Sequence, residues 1–367
     1  MPNQTICITD HSINKRIREA KISFSVRRVD LNVCQSLIKN IPPKVGDILL
    51  ARVEDLGQHT RIELRDGRRA RMFVGNEIVV AYGNRYAPDQ FEAIIPETLV
   101  PCHLVAAGGI AARLLSKHEK MKVPTLIDPI GIIGDINKQP INLSKFSLEQ
   151  VTSIGSRPLT IAVVGTSMNA GKTTTAASLI KGLTSYGMKV GAAKITGTGA
   201  GGDIWFMKDA GADPALDFID AGFPSTYLIP FQQVIHIMHT LTNYLSRAGV
   251  DAIVLEVADG LFQKETAKLL SSKEFSQKVD GLLFAAGEAM GGRAGVEWLK
   301  RRGLPVLALS GTLTRSPLAM REVENTINIP VLTKRSLSSP MITGYLNDWF
   351  PGQEIEVKSA INSLASA

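Results

Sequence analysis

An apolar run at residues 159–164 leads directly into Gly165-Thr166-Ser167-Met168-Asn169-Ala170-Gly171-Lys172-Thr173, and a helix-prone stretch follows over residues 173–186. Few folds place a glycine-bearing turn between a buried strand and a helix start. The glycines let main-chain N–H groups approach an anion, while the helix start adds unpaired N–H donors and the positive end of its dipole. Lys172 is placed to neutralise the β- and γ-phosphates of a nucleotide, and Thr173 to offer its hydroxyl to Mg²⁺. The segment therefore reads as a phosphate-binding loop. Its expected contact residues are Gly165, Thr166, Ser167, Asn169, Ala170, Gly171, Lys172, Thr173 and Thr174, and MgATP is its expected ligand. Five residues separate the glycines where the strict motif has four, so Thr166 stands at the usual first-glycine position.

The chain beyond the loop alternates strand and helix. MKVGAAKI, DAIVLEVA, GLLFAA and LPVLALS read as strands, with helical segments between them at residues 232–248 and 296–302. Near-continuous apolar strands of this sort belong to a parallel sheet covered on both faces. The expectation for residues 159–367 is an α/β P-loop NTPase domain with a doubly wound, mainly parallel sheet.

In such sheets ligands gather at the carboxyl ends of the strands. Lys194 ends the second strand and is a candidate second cation for the γ-phosphate or a substrate anion. Asp203 follows a glycine run; it either binds Mg²⁺ or caps a helix beginning at Ile204. Glu256 ends an otherwise apolar third strand, where a carboxylate is costly without a cation or donor. Lys172, Lys194 and Glu256 are thus the candidate catalytic residues, and Thr173, Asp203 and Glu256 the candidate metal ligands. Asp259 and Gly260 lie just beyond. Residues 285–295, with Glu288 and Arg293, are a candidate substrate loop, and Ser310-Gly311-Thr312 a candidate seat for the nucleotide base.

The first 125 residues have a different texture. Short strand candidates at 45–53, 61–64, 70–74 and 77–81 suggest a small barrel-like, β-rich domain. A helix is expected near residues 11–20 and a strand at 21–26. Asp66-Gly67 marks a tight hairpin whose two central residues are expected at positive φ. That hairpin sets Arg61, Glu63, Arg65, Arg69 and Arg71 opposite Ile62, Leu64, Ala70 and Met72, which gives either a solvated face or a basic ribbon for nucleic acid. Tyr82, Arg85, Tyr86 and Phe91 lie in a loop-like stretch suited to stacking a base or to packing. Gly108-Gly109 is expected to open an apolar helix over 110–118 as a weak second anion site. Cys102 and His103 are expected in the core. Residues 126–158, rich in Pro, Gly, Asn and Asp, read as a connector with one or two strands.

A net charge of +7 over 367 residues permits an anionic partner without requiring one. The cysteines (Cys7, Cys34 and Cys102) lack metal-ligand spacing, so a reducing compartment is expected. No leader-like segment opens the chain, and no run nears the ~20 apolar residues that span a bilayer. A cytoplasmic protein without membrane contact is the expectation.

The loop GTSMNAGKTTT resembles that of dethiobiotin synthetases (GTDTEVGKT) and of cobyric and cobyrinic acid amide synthases, and VGAAKITGTG is similar to their AGYKPVASG-like segment. The resemblance covers residues 159–333. It implies loop roles for Lys172 and Thr173, phosphate and substrate contact by Lys194, metal binding near Asp203, and a match of Glu256 to the Glu of EGAGG. Ser167 replaces the Asp of dethiobiotin synthetases and the signature lysine of partitioning ATPases, and EVADG replaces EGAGG. Family members use ATP to make an acyl- or carbamoyl-phosphate and pair two subunits across the active site. The resemblance accordingly implies an ATP-dependent ligase or kinase acting on a small carboxylate or amine, as a homodimer. An NTPase switch or adaptor acting on a protein or nucleic acid is the alternative.

Overall fold

The protein is described by a computed structural model, which covers residues 6–9, 11–151, 157–339 and 341–351. Residues 152–156 of the expected connector lie outside the described residues. The chain forms two compact units: Met1–Glu149 with Gly197–Gly202 and Phe218–Ile229, and Gln150–Thr196 with Asp203–Asp217 and Pro230–Ala367. Two short stretches from the C-terminal part of the sequence therefore belong to the first unit.

The first unit is built from β1 (Ile6–Thr9), β2 (Lys21–Ile22), β3 (Ser36–Lys39), β4 (Ile48–Asp55), β5 (Arg61–Glu63) and β6 (Arg69–Arg71). There follow β7 (Glu77–Tyr82), β8 (Arg85–Tyr86), β9 (Phe91–Ile94), β10 (Cys102–Ala106), β11 (Ile110–Lys117) and β12 (Thr125–Gly134). Strand β12 pairs with β4, β4 with β7 and β7 with β11, while β10 pairs with both β11 and β12. These pairings form a closed ring of five strands. Leu49, Val53, Ile78, Val80, Leu104 and Ile127 form one buried cluster with Tyr82 and Ile132. Each such apolar side chain contributes about 1.5–3 kcal/mol on burial.

Several sequence expectations change here. Residues 110–117 form strand β11, not a helix. A short apolar run has no decisive period, and pairing on both sides decides it. Gly109, at φ +99°, makes the turn between β10 and β11, so the helix start on which the expected anion site depended is not formed at Gly108-Gly109. The run 21–26 is a strand only at Lys21–Ile22 and then a 3₁₀ turn, Phe24–Val26. The helix His11–Glu19 agrees with expectation.

The β5–β6 hairpin exists, but only Gly67 (φ +87°) takes positive φ. Its loop has three residues, with Gly67 N–H donating to Leu64 O and Leu64 N–H to Arg68 O. This is the hairpin form that needs glycine at one position only. Arg61, Arg65, Arg69 and Arg71 are exposed, but Glu63 on the same ribbon is buried. Phe73 and Val74, placed in a strand by the sequence reading, are 63% and 62% exposed and lie outside β6. Tyr82 and Phe91 are fully buried in strands, which removes them as stacking surfaces. Cys102 is buried as expected and His103 half-buried.

The second unit holds six parallel strands: β13 (Leu159–Gly165), β14 (Val190–Lys194), β15 (Ala215–Asp217), β16 (Ala252–Glu256), β17 (Gly281–Ala285) and β18 (Val306–Ser310). Their order is β15-β14-β16-β13-β17-β18, so the strand feeding the loop lies between β16 and β17. Helices include Lys172–Ser185, Gly202–Asp209, Phe231–Arg247 and Ala289–Lys300. The mixed α/β architecture with a parallel sheet is as the sequence predicts. Strand β15, only three residues long, was too short to leave a sequence signal. Among the described residues no helix is long and apolar enough to cross a membrane.

Candidate functional site

Strand β13 ends at Gly165, the loop turns over residues 166–171, and the helix Lys172–Ser185 begins. The backbone explains the composition. A Cβ on Gly165 would lie 2.8 Å from both Ala285 O and Lys172 Cγ, so a side chain there would displace the lysine. Gly171 caps the helix at φ +99°, and Asn169 also sits in the left-handed region at φ +64°. Asparagine is among the few non-glycine residues that tolerate that region. Lys172 is buried, and its Nζ donates to Ser167 O at 2.7 Å, so the ammonium lies across the loop it follows.

Strand register brings the remaining charges to this end of the sheet. Glu256 pairs with Lys194 on one side and Val163 on the other. Lys194 Nζ forms an ion pair with Asp203 Oδ2. The Thr173 hydroxyl lies 2.9 Å from Glu256 Oε1 and 3.2 Å from Asp203 Oδ1, its single proton shared between two acceptors. Thr173, Lys194, Asp203 and Glu256 therefore converge, as the sequence reading had grouped them. Glu256 is buried, and its Oε2 has no hydrogen-bond partner among the described residues.

The electrostatics follow from this crowding. Burial first and the nearby Asp203 carboxylate second raise the Glu256 carboxyl to about 7, with Lys194 and Lys172 pulling against them. Burial also works against the Lys194 ammonium, but Asp203 and Glu256 outweigh it and hold the lysine above its usual range. Asp203 is buried as well, and its ion pair with Lys194 holds it below the usual carboxylate range. Lys172 is lowered by burial, with Glu256 and Asp259 opposing. Among the described residues no group of three or more His, Cys, Asp or Glu side chains is arranged to hold a metal by itself. A cation here would use the Thr173 hydroxyl and phosphate oxygens as well as the two carboxylates.

The turn after β16 packs on the loop: a Cβ on Gly260 would lie 2.2 Å from Thr166 O. Asp259 precedes it at φ +66°. Residues 285–295 differ from expectation. Glu288 caps the helix Ala289–Lys300 by accepting from the Met290 and Gly291 N–H groups, and Arg293 pairs with Glu297.

Beside the helix start lies a cavity of about 420 Å³, lined in part by Gly171, Thr174, Ser310, Gly311 and Thr312. This is where the sequence reading placed the base. Phe206, Arg315, Thr333, Lys334 and Arg335 also line it and were missed. Their only local signal is a capping threonine, Thr333, which accepts from Ser336 N–H.

The strand, loop and helix, set in this parallel sheet, make the second unit a P-loop domain. No protein-family model and no curated protein matches the chain. Among solved structures it is similar to the signal recognition particle receptor FtsY from Elizabethkingia anophelis, at 15% identity and TM-score 0.35 over 57% of this chain and 75% of that one. It is also similar to the Signal Recognition Particle 54 kDa protein from Aeropyrum pernix K1 in complex with GDP, at 20% identity and TM-score 0.35 over 56% and 51%. A LAO/AO transport system kinase gives 17% identity and TM-score 0.32 over 53% and 59%. At these scores the likenesses say nothing of substrate or partner.

Proposed function

We propose that this chain is a magnesium-dependent, ATP-using enzyme of ligase or kinase type, which activates a small carboxylate or carbamate as a phosphate anhydride. The observation that carries the reading is the convergence of Thr173, Asp203, Glu256 and Lys194 at the end of the sheet that feeds the glycine loop. The unpartnered Oε2 of a buried Glu256 fits a cation neighbour, since a buried carboxylate oxygen without a partner is costly. Thr173, Asp203 and Glu256 would hold the Mg²⁺, which would neutralise charge on the β- and γ-phosphoryl oxygens.

The chain's own groups supply the rest. Loop N–H groups and Lys172 bind the phosphates. Lys194, kept protonated by Asp203 and Glu256, offers a second positive charge to the transferring group or to the acceptor's carboxylate. A carboxylate nucleophile needs no general base, which suits a site built from lysines and carboxylates. The resemblance to dethiobiotin synthetases supports this reaction class and a homodimer.

Adenine is favoured over guanine by the cavity beside the loop. Among the described residues its lining has hydroxyls, Phe206 and cations but no carboxylate to accept from the guanine N1 and N2 protons. The deciding experiment is ATP turnover by the purified protein with and without Mg²⁺, followed by phosphate release across a panel of small carboxylates and amines. No nucleotide binding, or turnover indifferent to every small acceptor, removes the proposal.

A further inference from the structure

The cavity beside the loop helix shares Gly171 and Thr174 with the phosphate loop. Among the described residues its wall is mostly hydroxyls, main chain and cations, and it holds one aromatic side chain, Phe206. That ring is 39% exposed. Single exposed apolar side chains are common on protein surfaces. Phe206 is set apart by standing in the wall of a cavity that borders the loop.

The helix Gly202–Asp209 disposes of its other apolar residues. Ile204 and Met207 are 3% and 0% exposed and belong to the core cluster of the parallel sheet. Trp205 is covered by Lys208, whose Nζ lies 4.9 Å from the ring centroid. Phe206 takes no part in that cluster, and among the described residues no ring or cation covers its face. Asp203 lies three positions earlier, on the same face of the helix, and accepts from the Thr173 hydroxyl at 3.2 Å. One helix thus carries a carboxylate of the phosphate site and, a turn later, an open aromatic ring. Asp203, Phe206 and the rest of the cavity wall all belong to the second unit.

We infer that Phe206 is the platform on which the base of the bound nucleotide stacks, an inference that deepens the nucleotide reading of this site and rests on it. In that reading the phosphate tail lies on the loop that ends at Gly171. Gly171 is also cavity wall, so the cavity is the space open to the nucleoside. A base has a π face and polar edges. The ring suits the face, and the hydroxyl-bearing wall offers partners to the edges. Stacking reads no hydrogen-bond pattern, so Phe206 supports adenine and guanine alike and leaves the choice between them to the polar wall.

The test measures the affinity of the full chain for ATP, GTP and inorganic tripolyphosphate by calorimetry, in the unaltered protein, Phe206→Ala and Phe206→Trp. Tripolyphosphate supplies the tail without a base. Phe206→Ala is expected to weaken ATP and GTP each by about 10- to 100-fold, the range for one lost stacking contact. Tripolyphosphate affinity should stay within about twofold, because the loop is untouched. Phe206→Trp keeps a stacking face and should bind ATP within about twofold of the unaltered protein. Its added indole gives a second readout that holds even if the alanine variant fails to fold. Relative to the unaltered protein, its emission should change on adding ATP and stay flat with tripolyphosphate.

An ATP affinity unchanged in Phe206→Ala overturns the inference, as does a tripolyphosphate loss as large as the ATP loss, which makes Phe206 a support of the loop instead. An added indole indifferent to ATP does the same. An unaltered protein that binds neither ATP nor tripolyphosphate withdraws the nucleotide reading itself, so the two failures are told apart.

Discussion

Thr173 and Glu256 are joined by a 2.9 Å hydrogen bond that ties the first turn of the loop helix to the carboxyl end of β16. The bond explains why a carboxylate is tolerated at the end of an otherwise apolar buried strand. One oxygen is satisfied by the hydroxyl, and the other has no hydrogen-bond partner among the described residues. Lys194, next to Glu256 in the strand register, balances the charge from the opposite side.

Removing the Lys172 ammonium takes away the only side-chain cation of the loop itself. Lys172→Ala is expected to weaken ATP binding by at least about 100-fold, in the range for a buried charge-assisted contact to phosphate. Calorimetric titration checks it, and an unchanged affinity refutes the loop assignment.

Glu256→Gln preserves shape while removing the negative charge that Oε2 would offer a cation. Nucleotide affinity without metal should be nearly unchanged, and Mg²⁺-dependent turnover should fall by about 100-fold. Near-normal turnover places Glu256 outside the metal's reach. Lys194→Ala should cut kcat more than nucleotide affinity, and an equal loss in both makes it a binding residue only.

Glu256 titrates near neutrality, its carboxyl raised to about 7 by burial and then by Asp203. Its protonated form cannot serve a cation. Between about pH 5 and 7, half-saturation by Mg²⁺ should therefore improve as pH rises, by up to tenfold per unit for one proton displaced, and level off above 7. For folding the sign is opposite. A carboxyl raised in the folded state favours folding below its unfolded pKa of about 4.3, and that contribution is lost as pH rises through about 7. Apo-protein unfolding midpoints that fall over this window, while Mg²⁺ affinity climbs, meet both expectations. Midpoints that rise, or a Mg²⁺ requirement flat from pH 6 to 8, contradict them.

Base preference follows from the cavity beside Gly311 and Thr312. ATP should bind about tenfold or more tightly than GTP, since among the described residues no carboxylate lines that cavity to accept from guanine. Competition titration decides it; a preference for GTP means that a main-chain group reads the base.

Nucleic acid should not raise ATP turnover. Stimulation that falls steeply between about 50 and 200 mM salt would favour the switch reading, with the exposed Arg61, Arg65, Arg69 and Arg71 as the first residues to substitute.

Much of the candidate site was legible in the sequence. The loop, the strand-end positions of Lys194 and Glu256, and Asp203 near a helix start all follow from local order, because a parallel sheet brings successive strand ends to one edge. Glu288 and Arg293 misled for a local reason: a carboxylate before a helix start caps the helix more often than it meets a ligand. The 110–117 stretch misled for a distant one, since its pairing partners, β7, β9 and β10, lie elsewhere in the sequence.

The linear order of residues thus determined the glycine turn, the helix it opens and the set of charged groups able to surround a polyphosphate. Those features depend on φ preferences, apolar runs and neighbours a few positions apart. Only the tertiary structure decided that Glu63 and Gly108, remote in sequence, contact the glycine run before Asp203, that β10 closes a ring of strands with β11 and β12, and that Thr333, Lys334 and Arg335 border the cavity beside the loop. Such contacts join segments distant along the chain. They are set by which surfaces bury together and which buried polar groups find partners, and neither is written in any short stretch of sequence.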